Sequence, residues 1–208
     1  ALRRIPPTWD PHGDRTIAAA NLAQLRQRPD EVLVLLEAMS PEVIDDRDHL
    51  RIAKTHILRG QAHQALGDTA LARSEYIEAR ATLQKAAAHR TDAHRIHAIL
   101  AVVHARLGQK DLALRETKLA SDAALGDAVE WSDYLVSAAE SYASLGESDA
   151  ALELLAQLID LPGLLSVHHL RMEPRWDPLR RDPRFERLLN TRSHTVLNGR
   201  PTATSHSQ

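Results

Sequence analysis

The feature that most constrains this chain is a phrase that returns. "ALGDTALAR" at 65–73, "RLGQKDLAL" at 106–114 and "SLGESDAAL" at 144–152 each read Leu-Gly, a short polar turn, then an alanine-rich helix start. Their glycines, Gly67, Gly108 and Gly146, lie 41 and 38 residues apart. A glycine just past an apolar helical run is a common helix C-cap, and here the helical period restarts after it. A period of about 40 residues with one turn in its middle fits two antiparallel helices per unit. One such unit cannot bury its apolar face alone, so successive units must stack. A weaker early copy, "LRQRPDEVL" at 25–33, keeps the step. In it Pro29 opens the second helix, and no glycine closes the first.

The copies agree at the positions that set how closely two helices approach. The first helices carry Ala20, Gly60, Ala101 and Ala139 seven residues before the turn. The second helices carry Val32, Ala72, Ala113 and Ala151. Bulkier residues surround them: Leu36, Tyr76 and Leu155 on second helices, Tyr142 on a first helix. Aromatic residues make up only 3% of the 208 residues, while apolar residues make up 43%. The core is therefore built mostly of Ala and Leu, which suits closely packed helices. "HAILAVVHARLG" shows the spacing, with Ile99, Leu100, Val103 and Leu107 on neighbouring turns. Strand-like alternation is rare, so the expected class is all-α.

This pattern resembles the tetratricopeptide repeat (TPR) family. The likeness covers residues 13–160. It rests on Gly60, Gly67-Asp68, Ala72, Tyr76 and Ala79 in the best copy. The next copies match through Ala101, Gly108, Ala113 and Ala120, then Ala139, Tyr142, Gly146 and Ala151. Thr16, His56, His97 and Leu135 stand where the family has an early Trp, and the usual closing Pro is missing. "LPGLLSVHHLRMEPRWDPLRRDPRFERLL" at 161–189 resembles the closing segment of a bacterial TPR group. That group is often fused to kinase, adenylate cyclase, winged-helix or TolB-like modules. The likeness implies a right-handed superhelix of four helix pairs over 13–160, with a closing segment over 161–189. Residues 1–12 read as a lead-in or the end of an earlier element. The polar stretch 190–208 reads as a disordered tail. The opening at Ala1, with no methionine, reads as a piece of a longer polypeptide.

The phrase Trp-Asp-Pro occurs at both ends, at Trp9 and at Trp176. Asp before Pro is a helix-start signal, because the carboxylate caps free amides and Pro suits the first turn. Asp177-Pro178 and Asp182-Pro183 are thus read as two starts. Trp176 and Phe185 are expected to cover the apolar end that the last repeat leaves exposed.

By the family's register, the concave face is lined by Asn21, Gln24, Lys54, Gln61, Gln64, Arg95, Val102, Arg106, Asp133, Val136 and Glu140. A basic middle and an acidic end imply a mixed-charge peptide or protein segment as partner. Ile57 stands where some TPR domains place a lysine that clamps a terminal carboxylate, so that clamp is not expected.

Other chemistries find little footing. The chain has no cysteine, which excludes disulfides, thiolate catalysis and Cys-ligated zinc. Twelve histidines invite a metal reading. His49, His56 and His63, like His97 and His104, are spaced by seven. That puts them about 10.5 Å apart along a helix, too far to share one ion. Only His94 and His97 have a better spacing. His56, His97, His63 and His104 fit the repeat register as packing residues. Carboxylates such as Asp45, Asp46, Asp48, Glu147 and Asp149 sit in turns and helix starts, where they act as caps. Arg171, Arg175, Arg180, Arg181, Arg184 and Arg187 are interrupted by acids, as in a salt-linked helix rather than a nucleic-acid patch.

A formal net charge of -2 gives no global pull toward nucleic acid or anionic membrane. No apolar run reaches the roughly 20 residues of a membrane span. The expected function is a non-catalytic interaction or regulatory module without cofactor or metal, in the cytoplasm, or in the periplasm if a membrane span precedes it. The alternative is the sensory C-terminal part of a bacterial signalling enzyme or transcription regulator.

Overall fold

The computed structural model describes residues 13–38, 49–87, 93–124, 128–160 and 165–198. Every regular element among them is helical. Eight α-helices form four successive pairs: α1 (Asp14–Leu25) with α2 (Pro29–Glu37), α3 (His49–Leu66) with α4 (Thr69–Ala87), α5 (Ala93–Arg106) with α6 (Lys110–Ala124), and α7 (Ala128–Ser144) with α8 (Ser148–Asp160). The second helix of each pair also packs on the first helix of the next, and α5 packs along α7. Helix α9 (Val167–Met172), a 3-10 helix (Pro174–Leu179) and α10 (Pro183–Asn198) follow. The Trp9 phrase lies outside the described residues.

Each pair turns by the same device. In the second pair, the Gly67 amide bonds the Gln64 carbonyl at 3.1 Å and the Asp68 amide bonds the His63 carbonyl at 2.9 Å. The same two bonds recur at Gly108 with Gln109 and at Gly146 with Glu147. This closing pattern needs a left-handed residue, which glycine adopts without a Cβ penalty. The first pair closes the same way without a glycine. Gln27 takes the left-handed place at φ 55°, and the Arg28 amide bonds the Ala23 carbonyl at 3.0 Å.

The small residues lie where the helices meet. Ala20, Ala101, Ala139, Ala72, Ala113 and Ala151 are all buried, as is Val32. Gly60 is the tightest point. A Cβ placed there would stand 2.6 Å from Cε1 of Tyr76. Tyr76 cannot easily swing away, because its hydroxyl donates to Gln64 at 3.0 Å and its ring is buried.

Beyond α8, Trp176, Leu179, Phe185 and Leu189 join Leu155 and Leu158 in one buried cluster over the end of the last pair. The Asp182-Pro183 start forms as expected: Asp182 Oδ1 accepts from the Arg184 amide at 2.9 Å. Asp177-Pro178 does not start a helix. It lies inside the 3-10 helix. There residues three apart share a face, and this sends both Trp176 and Leu179 into the core. Helix α10 runs to Asn198, past the boundary expected at Leu189. Residues 199–208 lie outside the described residues. Among the described residues no helix is long and apolar enough to cross a membrane.

Two stability outcomes follow from these turns and contacts. Gln27→Gly should stabilise the chain by about 0.5–1 kcal/mol, since it relieves a left-handed side chain at some cost in backbone entropy. Gly60→Ala should destabilise it by about 1–3 kcal/mol through overpacking against Tyr76. Urea melts followed by circular dichroism check both.

Candidate functional site

A groove of about 550 Å³ opens along the first helices of the four pairs. Asn21 and Gln24 reach it from α1, Lys54 and Gln61 from α3, Arg95 and Val102 from α5, and Val136 and Glu140 from α7. Eight of the residues read from the repeat register thus share one groove. Gln64 and Arg106 are not among its lining residues but are bonded to each other at 3.4 Å, and Arg106 is bonded to Glu140. Asp133 lies on α7, and its side chain falls outside the described residues.

The groove owes its lining to register. Gln61, Val102 and Glu140 occupy the same step in successive units, as do Ile57, Ala98 and Val136. The second set, with Ile99, gives the groove an apolar side. Asn21, Gln24 and Gln61 supply amides, which can both donate and accept. Gln24 and Gln61 bond each other across the first two pairs at 2.6 Å.

Three lining residues come from outside the repeats: Glu173, Pro174 and Arg175. Pro174 and Arg175 open the 3-10 helix, which packs on α7. Arg175 Nη1 stands 3.2 Å from Glu140 Oε2, while Arg106 Nη2 holds Glu140 Oε1 at 3.1 Å. Arg175 Nε also meets Glu173 Oε2 at 3.0 Å, and that oxygen accepts from the Trp176 indole at 3.1 Å. A continuous polar chain results: Tyr76, Gln64, Arg106, Glu140, Arg175, Glu173, Trp176. Both Glu140 oxygens are therefore occupied from within the chain. Of the two acids expected at that end, Glu140 is thus satisfied within the chain, and Arg106, with 9% of its side chain exposed, links α5 to α7. A second, smaller cavity of about 320 Å³ is bounded by Gln27, Val32 and Ala65 together with Pro174 and Asp177. The closing segment thus borders space shared with the first two pairs.

No repeat arithmetic could have found Arg175, because it lies beyond the last unit. The histidine contacts did have a signal. His56 Nδ1 meets Glu75 at 2.6 Å and His97 Nδ1 meets Glu116 at 2.7 Å. Both members advance by 41 residues, so one clasp between paired helices repeats. His104 is buried against Gln109 at 2.7 Å, and His63 stands 3.8 Å from Asp68. Among the described residues, no three histidines or carboxylates converge as a metal site would require. Three of the C-terminal arginines named above are paired with acids here: Arg171 with Glu186, Arg180 with Asp177, and Arg184 with Asp182 and Asp149.

No protein-family model matches the chain, and comparison with curated proteins and with solved structures likewise gives no match.

Burial pushes the Tyr76 phenol up to about 12 from 10.0, with Arg106 pulling down and Glu140 pushing up by lesser amounts. The unfolded tyrosine ionises first as pH rises. The stability from keeping Tyr76 neutral is therefore whole below pH 10 and is lost by about pH 12. Tyr76→Phe should flatten that alkaline loss, as read from urea midpoints across the range.

Proposed function

We propose that this chain is a TPR-like, non-catalytic interaction module whose four helix pairs curve so that their first helices present a peptide-binding groove. The observation that carries this reading is the convergence of eight side chains from four separate helices on one open groove. Its size is that of a ligand site, which spans about 300–1,000 Å³. An apolar side flanked by amides suits an extended segment: aliphatic residues bury side chains while amides bond the partner's backbone. The TPR assignment is supported by the repeated small residues, the common turn and the steps of 41 and 38 residues.

A steric test is indifferent to the partner's charge. Asn21 and Arg95 are both exposed and both line the groove. Peptides selected from a random display library on the wild-type chain should lose about tenfold or more in affinity for the Asn21→Trp, Arg95→Trp double variant. Its helicity by circular dichroism should stay at the wild-type level. Undiminished affinity would refute the groove assignment.

A further inference from the structure

The smaller cavity, of about 320 Å³, adjoins the groove, because Gln24, Gln61 and Pro174 line both. Its floor is apolar. Val32 and Ala62 belong to the buried cluster between the first two pairs, and Pro29, Ala65 and Pro174 extend that surface. The space exists because the α3 side chains at this place are short. One unit later, the positions of Ala62 and Ala65 hold Val103 and Arg106. The charged residues among the described lining residues are Arg28 and Asp177. Arg28 is paired with Glu31 at 2.9 Å and Asp177 with Arg180 at 2.5 Å, so both charges have a partner within the chain.

We propose that this cavity is an anchor pocket for the segment bound in the groove, and that it takes one large aromatic side chain of that segment. The inference rests on the groove being a peptide site, as proposed above. Size and chemistry select the occupant. The volume lies at the lower end of the range for ligand sites, which suits a single side chain reaching in from the groove. An aliphatic side chain leaves part of the wall without contacts, and each such gap forfeits dispersion attraction. An aromatic one brings about 150–250 Å² of surface to bury. A charged one would lose water against Val32 and Ala62 with no counter-charge to meet it. Aromatic anchors in desolvated pockets commonly carry much of a segment's binding energy. Pro174 gives the closing segment a part in this selection, since it forms a wall of both spaces.

The test starts from a peptide selected on the wild-type full chain. Each of its residues is replaced in turn by tryptophan, alanine, aspartate or lysine, and affinities are read by fluorescence anisotropy. At one position tryptophan should bind about tenfold tighter than alanine. Ala65→Phe, which fills the cavity from an exposed place on α3, should bring that ratio to unity and leave the alanine peptide's affinity unchanged. Ala65→Ser keeps the space and should keep the ratio. The location has a readout of its own. The chain has no cysteine, so Ala65→Cys provides a sole thiol. Its alkylation by iodoacetamide should slow about fivefold or more under saturating tryptophan peptide, and not under saturating alanine peptide. Equal protection by both peptides overturns the inference. So does a tryptophan preference that survives Ala65→Phe, or a preference for aspartate or lysine at that position. If the Asn21→Trp, Arg95→Trp variant loses the peptides while no position favours tryptophan, the groove stands and the anchor pocket falls. If that variant binds them undiminished, the groove reading fails and takes this inference with it.

Discussion

The close approach of paired helices at small residues is the constraint on which the rest of the structure depends. Ala20, Gly60, Ala101 and Ala139 face a partner helix that is itself narrow at the crossing. A chain with few aromatics has little bulk to fill gaps, so its helices must come near enough for short side chains to touch. Tyr76 shows how fine the fit is, with its ring lying over the one position that lacks a Cβ. Widening any pair would also displace its first helix. Four first helices build the groove, so a packing error at the back of a pair becomes a shape error at the front.

Over this apolar frame runs a polar chain whose centre is buried. Arg106 and Glu140 expose 9% and 7% of their side chains. Removing two such charges from water costs several kcal/mol per ion, which attraction offsets only when further hydrogen bonds fill the remaining sites. Gln64 and Arg175 supply some of those bonds, while the Arg106 Nε is left without a hydrogen-bond partner among the described residues. The pair therefore contributes specificity of arrangement more than net stability. It fits only when α3, α5, α7 and the closing segment stand at one set of distances.

How much of this was legible in the sequence depends on periodicity. The turns were, because Leu-Gly followed by polar residues states the cap chemistry directly. Gln27 was not, because a left-handed glutamine carries no compositional mark; only the step of the repeat implied a turn there. The shared face of Asn21, Lys54, Gln61, Arg95, Val102 and Glu140 could be read from the repeat register together with the resemblance to the TPR family. The Arg175 contact could not, since it depends on how a unique segment crosses back over α7. Asp177-Pro178 and Asp182-Pro183 look alike locally, yet only the second starts a helix. Tertiary burial of Trp176 and Leu179 overrides the local signal at the first.

The polar chain from Tyr76 to Trp176 has a consequence for how the molecule opens. Stacked units that touch only their neighbours tend to fray from their ends inward, one unit at a time. Here the last segment of the chain is bonded, through Glu140 and Arg106, to a glutamine on the second pair. Peeling the closing segment away removes Arg175 from Glu140 and opens the Arg106–Glu140 pair to water; loosening α7 as well would leave Arg106 without its carboxylate. Amide hydrogen exchange over the second to fourth pairs would then run as one cooperative block instead of a graded series. An array of stacked helix pairs would behave, in its motions, as a single body.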